Sequence, residues 1–298
     1  MNKCLICNNN FNPFVDFGNM PIANAFSTKK ELENEYFFSM KVGFCENCNM
    51  VQLLEQPDRE KMFHDNYAFF SSTSNYMIGH FQKFANSVTK LQNLDQKSFV
   101  VEIGSNDGIM LQNFVSDKIP CLGIEPSKNV AEVARKKGIE VITEFFDKSL
   151  ADRISKNYQK ADAILSANVM CHIPYMHSIY EGVKTLLNNE GVFIFEDPYL
   201  GEVIEKTSFD QIYDEHVFLF SALSISYIAN MHDLELVNVE PQTTHGGSMR
   251  YTIAHKGVKN ISQNAIDLIK KEKEIGLDKN HAYLNFTDSV NKIKNDLI

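Results

Sequence analysis

No apolar run in this 298-residue sequence approaches the roughly 20 residues that a membrane-spanning helix requires. No basic stretch followed by an apolar core opens the chain either. Neither a membrane partner nor a secretory signal is expected, and the expected location is cytoplasmic. Positive charge is in deficit: 29 Lys and Arg face 38 Asp and Glu, for a net charge of -9. That balance argues against a general nucleic-acid surface. Internal repeats and low-complexity linkers are missing as well. Cysteine is scarce, six in all, which fits a reducing compartment better than a disulfide scaffold. What is present, 44% hydrophobic and 22% charged residues, is ordinary for a globular protein of one large domain or two smaller ones.

Four of the few cysteines are paired. Cys4-Leu5-Ile6-Cys7 and Cys45-Glu46-Asn47-Cys48 are two Cys-x-x-Cys knuckles. Each such turn folds two sulfurs onto one ion, so Cys4, Cys7, Cys45 and Cys48 form a tetrahedral zinc set. Four unlinked thiols, or two redox pairs, are the competing reading. A closed four-thiolate site has no open position, so the zinc is expected to be structural. A unit of about 60 residues gains from metal the folding free energy that its small core lacks.

Phe99 to Ile103 is a short apolar run that breaks into the turn Gly104-Ser105-Asn106-Asp107-Gly108 and then into a helical pattern. Such a turn lets a ligand approach the backbone at the carboxyl end of a parallel strand. The spacing is not Gly-x-Gly-x-x-Gly, and Asp107 in the loop would repel a pyrophosphate while suiting a cation. S-adenosylmethionine, a sulfonium, is the expected cofactor, held by Gly104, Asn106 and Asp107. Strand and helix alternate from about 98 to 200, as in a doubly wound α/β sheet. A second strand, Cys121 to Ile124, ends in Glu125, placed to accept both ribose hydroxyls. Phe146 or its neighbour is placed to stack on adenine, and Asn168 ends a further strand. A helix capped by Ser127 is expected between these.

Residues 60 to 95 read as helical and aromatic, with Tyr67-Ala68-Phe69-Phe70-Ser71-Ser72 read as a helix cap or as a lid with Tyr67 at its tip. His64, His80 and His177 read as surface or packing residues. The densest chemistry is Phe209-Asp210-Gln211-Ile212-Tyr213-Asp214-Glu215-His216, followed by a helical run from Phe218 to Met231. His245 precedes two glycines and Arg250 lies on the next strand; either could reach a phosphate, and a turn cap and a structural ion pair are the alternatives. Residues 262 to 298 read as polar helix broken near Gly276.

Taken together, the cysteine knuckles, Tyr67-Ala68-Phe69-Phe70-Ser71-Ser72, Val101 to Gly108, Cys171-His172-Ile173-Pro174, Tyr213-Asp214-Glu215-His216 and His245 to Arg250 occur in an order that resembles the S-adenosylmethionine-dependent sugar C-methyltransferases, which act on nucleotide-linked 4-keto-deoxysugars. The resemblance runs from Cys4 to about His255. It implies a small N-terminal zinc-binding domain (1–60), a helical connector (61–97), a Rossmann-like class I methyltransferase domain (98–260) and, at 261–298, the start of a third domain. The sequence ends inside that last segment, so the expectation is that the third domain is missing or supplied by a second chain.

Methylation at carbon needs a base to remove a proton beside the ketone. His216 suits that work near neutral pH and is the position the resemblance assigns. Glu215 would orient or polarise the site, and Tyr213, Tyr67 and His172 would donate to the ketone oxygen as it gains charge. Two other readings stay open at this point: O- or N-methylation of a sugar, and a catalytically impaired sugar-binding subunit of a split enzyme.

Overall fold

The computed structural model describes residues 2–57 and 69–297. The expectations for His64 and Tyr67 fall outside them. The strands, in chain order, are β1 (Asn2–Lys3), β2 (Asn10–Pro21), β3 (Phe37–Cys45), β4 (Met50–Leu53), β5 (Val100–Ile103), β6 (Cys121–Ile124), β7 (Glu140–Ile142), β8 (Ala161–Ala167), β9 (Leu187–Pro198), β10 (Phe218–Leu219), β11 (Leu234–Gln242) and β12 (Ser248–His255). They form two sheets.

The larger sheet has seven strands in the order β11-β12-β9-β8-β5-β6-β7. β7, β6, β5, β8 and β9 are parallel; β12 pairs antiparallel with β9, and β11 pairs antiparallel with β12. The chain winds from β5 through β6 to β7 in one direction and through β8 to β9 in the other. The direction of winding therefore reverses between β5 and β8, and the crevice beyond their carboxyl ends is where open α/β sheets bind ligands. Both faces of the sheet are covered. On β9, Val192 and Ile194 enter one core, with Val100, Phe114 and Ile139, while Phe193 and Phe195 enter the other, with Val101, Ile154 and Ile179. That alternation is the period-2 pleat of a strand buried on both sides.

The helix Asn75–Gln92 starts where the Ser74 side chain accepts from the Met77 amide and stops at Asn93, which takes a left-handed conformation. Phe81, Phe84, Ala85 and Val88 form its buried stripe. It is thus a layer on the large sheet; of the helical span expected from 60 to 95, the described residues 69 to 95 are helical over Asn75–Gln92, after a short turn at Ser71–Thr73. Ser127 occupies the N-cap position of Lys128–Lys136 but makes no side-chain cap bond.

The smaller sheet, β1-β2-β3-β4-β10, joins the N-terminal strands to β10, the strand after the Tyr213 to His216 segment. β10 pairs antiparallel with β4, Phe218 opposite Gln52 and Leu219 opposite Val51. The run from Phe218, expected to be helical, therefore begins as a strand, and its helix spans only Ala222–Met231. Glu272, fully buried, accepts from the Ala222 and Leu223 amides and satisfies the first turn of that helix. The tail is two helices, Gln263–Glu274 and Asn280–Leu297, broken around Gly276 as its sequence suggests. The second docks on the small sheet: Tyr283 stacks on Phe44 with ring centroids 4.2 Å apart, and Thr287 donates to the Phe14 carbonyl. No described helix is long and apolar enough to cross a membrane.

Candidate active site and zinc site

The four knuckle sulfurs lie within 4.8 Å of one another, with Cys4–Cys48 at 3.5 Å and Cys7–Cys45 at 3.4 Å. A tetrahedron with Zn–S bonds of about 2.3 Å has sulfurs about 3.8 Å apart, so the set fits one zinc ion. The knuckles share one backbone device. Asn8 and Asn49, each just after the second cysteine, are left-handed (φ 59 and φ 58) and donate their amides back to the Cys4 and Cys45 carbonyls. Cys4 and Cys48 share one hydrogen bond, which lowers the pKa of Cys4 and raises that of Cys48; a metal ion in place of the shared proton would take both as thiolates. The zinc knuckles are wired to the rest of the fold. His177 donates from Nε2 to the Ile6 carbonyl (2.8 Å) and bonds through Nδ1 to His232 (2.8 Å), and Asn47 donates to the Tyr227 hydroxyl. Of the surface and packing roles expected for His177, the half-buried ring fits packing, as a bridge between the knuckle and His232.

A cavity of about 670 Å³ opens at the carboxyl ends of β5 and β8. Gly104, Asn106, Glu125, Phe145, Phe146 and Asn168 line it together with His172, Tyr213, Glu215, His216 and His245. The cofactor-side residues owe their positions to local geometry. Gly104 has φ 71, and a Cβ there would collide with the Val169 side chain. Glu125 accepts from the Asn106 amide through Oε2 (3.0 Å) and from the Ser127 amide through Oε1 (2.8 Å). Burial raises its pKa, against those two amides. Each carboxylate oxygen keeps a further lone pair for a ribose hydroxyl. Phe146 is packed over Gly182 in the core, whereas Phe145 is only half-buried.

Asp107 does not line the cavity. It accepts from the Ser72 amide (3.0 Å) and Ser72 Oγ (2.9 Å), and Lys137 bonds the same hydroxyl at 2.9 Å. Its neighbour Asn106 accepts from the Ser71 amide and donates to the Phe69 carbonyl. The two side chains therefore clamp the Phe69–Thr73 segment onto the glycine turn. Arg250 also lies away from the cavity. Its guanidinium bonds Glu196 at 2.8 Å and sits 3.7 Å above the Phe84 ring. His80 and Thr244 complete the shell of Glu196 at 2.8 and 2.9 Å. Burial raises the Glu196 pKa, but His80 and the Arg250 charge outweigh it and hold the carboxyl below its usual value. This buried network welds the helix Asn75–Gln92 to β9 and β12, and it turns the Arg250 guanidinium toward Glu196 and, through Nη1, toward Glu240 at 3.8 Å rather than into the cavity.

His216 is 6% exposed. Its Nδ1 lies 2.7 Å from the Gln211 carbonyl and its Nε2 lies 3.0 Å from the Tyr213 hydroxyl. A carbonyl only accepts, so Nδ1 carries the proton and Nε2 is the lone pair to which Tyr213 donates. Burial pulls the His216 pKa down to about 4, so the imidazole is neutral at pH 7. His172 stacks against it with centroids 5.3 Å apart, and burial followed by the His216 charge pushes the His172 pKa down as well. Glu215 is 3% exposed, and burial raises its pKa. Sequence reasoning missed what holds this acid. Asn24 donates to Glu215 Oε1 at 2.7 Å and the Ala23 amide donates to Asp214 Oδ1 at 3.0 Å. Both come from the loop after β2, and no local periodicity signals a partner so distant in the chain.

Comparison with known proteins agrees with this architecture. Three family models match in succession: "Putative zinc binding domain" over 4–63, "Methyltransferase domain" over 73–239 and "C-methyltransferase C-terminal domain" over 243–298. The chain is 27% identical over 297 residues to the C-methyltransferase NovU of Streptomyces niveus, covering 99% of this chain and 70% of that protein. Among solved structures, the PH0226 protein of Pyrococcus horikoshii OT3 superposes with a TM-score of 0.50 at 13% identity, over 63% of this chain and 95% of the other, a likeness of fold alone. A S-adenosylmethionine-dependent methyltransferase of Anabaena variabilis ATCC 29413 gives 0.45 at 16% identity, over 59% and 84%. The chain belongs to the methyltransferase-domain family, as an S-adenosylmethionine-dependent C-methyltransferase with an N-terminal zinc-binding module.

Proposed function

We propose that this protein methylates the carbon beside the ketone of a nucleotide-linked deoxysugar, with His216 as the base. The observation that carries the reading is the fixed tautomer: the Gln211 carbonyl holds the proton on Nδ1, so Nε2 is presented as a lone pair in the cavity. S-adenosylmethionine, when bound, supplies an electrophilic methyl on a sulfonium. Gly104, Asn106, Glu125 and Asn168 would hold it beyond β5 and β8, with Phe145 the better placed of the two phenylalanines to meet adenine.

His216 Nε2 takes the C–H proton, and the electron pair left on carbon becomes an enolate nucleophile. Tyr213, released from Nε2 as the acceptor enters, turns its hydroxyl toward the ketone oxygen. One such donor contributes about 2.7–4 kcal/mol to the transition state. His172, stacked on His216, excludes water from one face of the imidazole. The proton leaves Nε2 for solvent after transfer, which restores the neutral base. Enclosure of both reactants removes much of the entropic penalty of a bimolecular step.

The relative NovU is named a C-methyltransferase, which supports carbon over oxygen or nitrogen as the acceptor. The test is incubation with methyl-labelled S-adenosylmethionine and a panel of keto-sugar nucleotides, with the new methyl located by mass and NMR. A methyl on carbon next to the former ketone is the expected product. A methyl on oxygen or nitrogen would overturn the reading.

A further inference from the structure

The loop after β2 belongs to the zinc-binding module, yet Asn24, Ala25 and Phe26 line the same cavity as His216. Two bonds hold it there, from Asn24 to Glu215 and from the Ala23 amide to Asp214. These partners immediately precede the base, His216, in the chain. Phe26 is 77% exposed and left-handed, with φ 47. A bulky residue in that conformation is a backbone outlier, and such strain persists only where the surroundings enforce it. An aromatic ring in water at a cavity mouth forfeits the burial that its area would provide elsewhere.

We propose that this loop is the acceptor-side wall of the active site, resting on the functional reading above. Asn24 is a positioning residue that aims Glu215 into the cavity. Phe26 is a binding contact whose ring stacks on the nucleobase of the acceptor. Base–aromatic stacking is sequence-tolerant and would anchor the far end of a nucleotide-linked sugar whose ketone lies at His216.

The chain contains no tryptophan, so Phe26→Trp in the zinc-loaded full chain introduces a sole fluorophore at the mouth. Thymidine, uridine, cytidine and guanosine diphosphates, each added with S-adenosylhomocysteine, are the probes. At least one should quench the emission saturably, and S-adenosylhomocysteine alone should not. Phe26→Ala should raise the acceptor KM about tenfold with kcat within twofold, and Phe26→Tyr should restore it. Asn24→Ala should lower kcat about tenfold at unchanged calorimetric affinity for S-adenosylhomocysteine, and Asn24→Gln should recover part of it. An emission change with S-adenosylhomocysteine alone, or an unchanged KM in Phe26→Ala, would overturn the contact. A kcat held in Asn24→Ala would overturn the positioning role. Calorimetry on the unaltered chain separates the two levels. If a nucleotide binds while the tryptophan is silent, only the stacking contact falls. If no nucleotide binds, the nucleotide-linked reading falls and takes the contact with it.

Discussion

Acidification should destabilise this protein through His216, by an amount that follows from its burial. The imidazole has a pKa of about 4 in the folded chain against 6.5 in the unfolded one. Between those values the unfolded state binds the proton and the folded state does not, so stability rises with pH across the window. The contribution is complete above about pH 6.5 and is lost as pH falls toward 4. At about 1.4 kcal/mol per pH unit the full effect is about 3 kcal/mol. Between pH 7.5 and 4.5, about 2 to 3 kcal/mol of it should disappear.

The control is His216→Asn, which keeps a donor for the Gln211 carbonyl and has no titrating group. Urea denaturation of both chains at several pH values measures the difference. Zinc loss in acid acts in both chains, and a His172→Asn background in both removes the imidazole coupled to His216, so the chain that keeps His216 should fall more steeply by the stated amount. Parallel curves would refute the assignment of a buried, neutral His216.

Three further outcomes follow from the same structure. Arg250→Met should destabilise the fold by about 3–5 kcal/mol, because it strands the buried Glu196 charge, and adding Glu196→Gln should recover part of the loss in thermal or urea melts. Glu125→Ala should weaken calorimetric cofactor binding roughly 10- to 150-fold, the worth of about 1.5–3 kcal/mol of charged hydrogen bonding, while zinc content stays near one ion per chain. Chelation should lower the melting temperature and expose amides around Ile6 and His177 to hydrogen exchange before those of β5 and β8, since His177 joins the two through the Ile6 carbonyl.

Where chemistry is local, the sequence was legible. Val100 to Gly108 reads as a strand and a turn because the apolar run, the glycines and the strand end are contiguous, and the cysteine knuckles read as zinc ligands because sulfur spacing is a property of one turn. The hidden parts are pairings between distant segments. Two residues, Phe218 and Leu219, complete the small sheet against β4, too short a strand to leave a period. Asp107 looked like a cofactor ligand because an acid in a glycine turn has no local partner; Ser72 and Lys137 reach it from elsewhere. Arg250 looked like a phosphate contact until Glu196, on the neighbouring strand, took its guanidinium. Likewise the polar tail hides a buried stripe of Ala282, Tyr283 and Phe286 that packs on a sheet formed at the opposite end of the chain.

The central claim is proton removal from carbon by His216, and solvent exchange tests it most directly. In deuterium oxide with S-adenosylhomocysteine in place of the methyl donor, the unaltered chain should put deuterium beside the ketone of the accepted keto-sugar nucleotide, seen by NMR, and His216→Asn should not, although it binds S-adenosylhomocysteine normally. Exchange at an equal rate in His216→Asn would contradict the account.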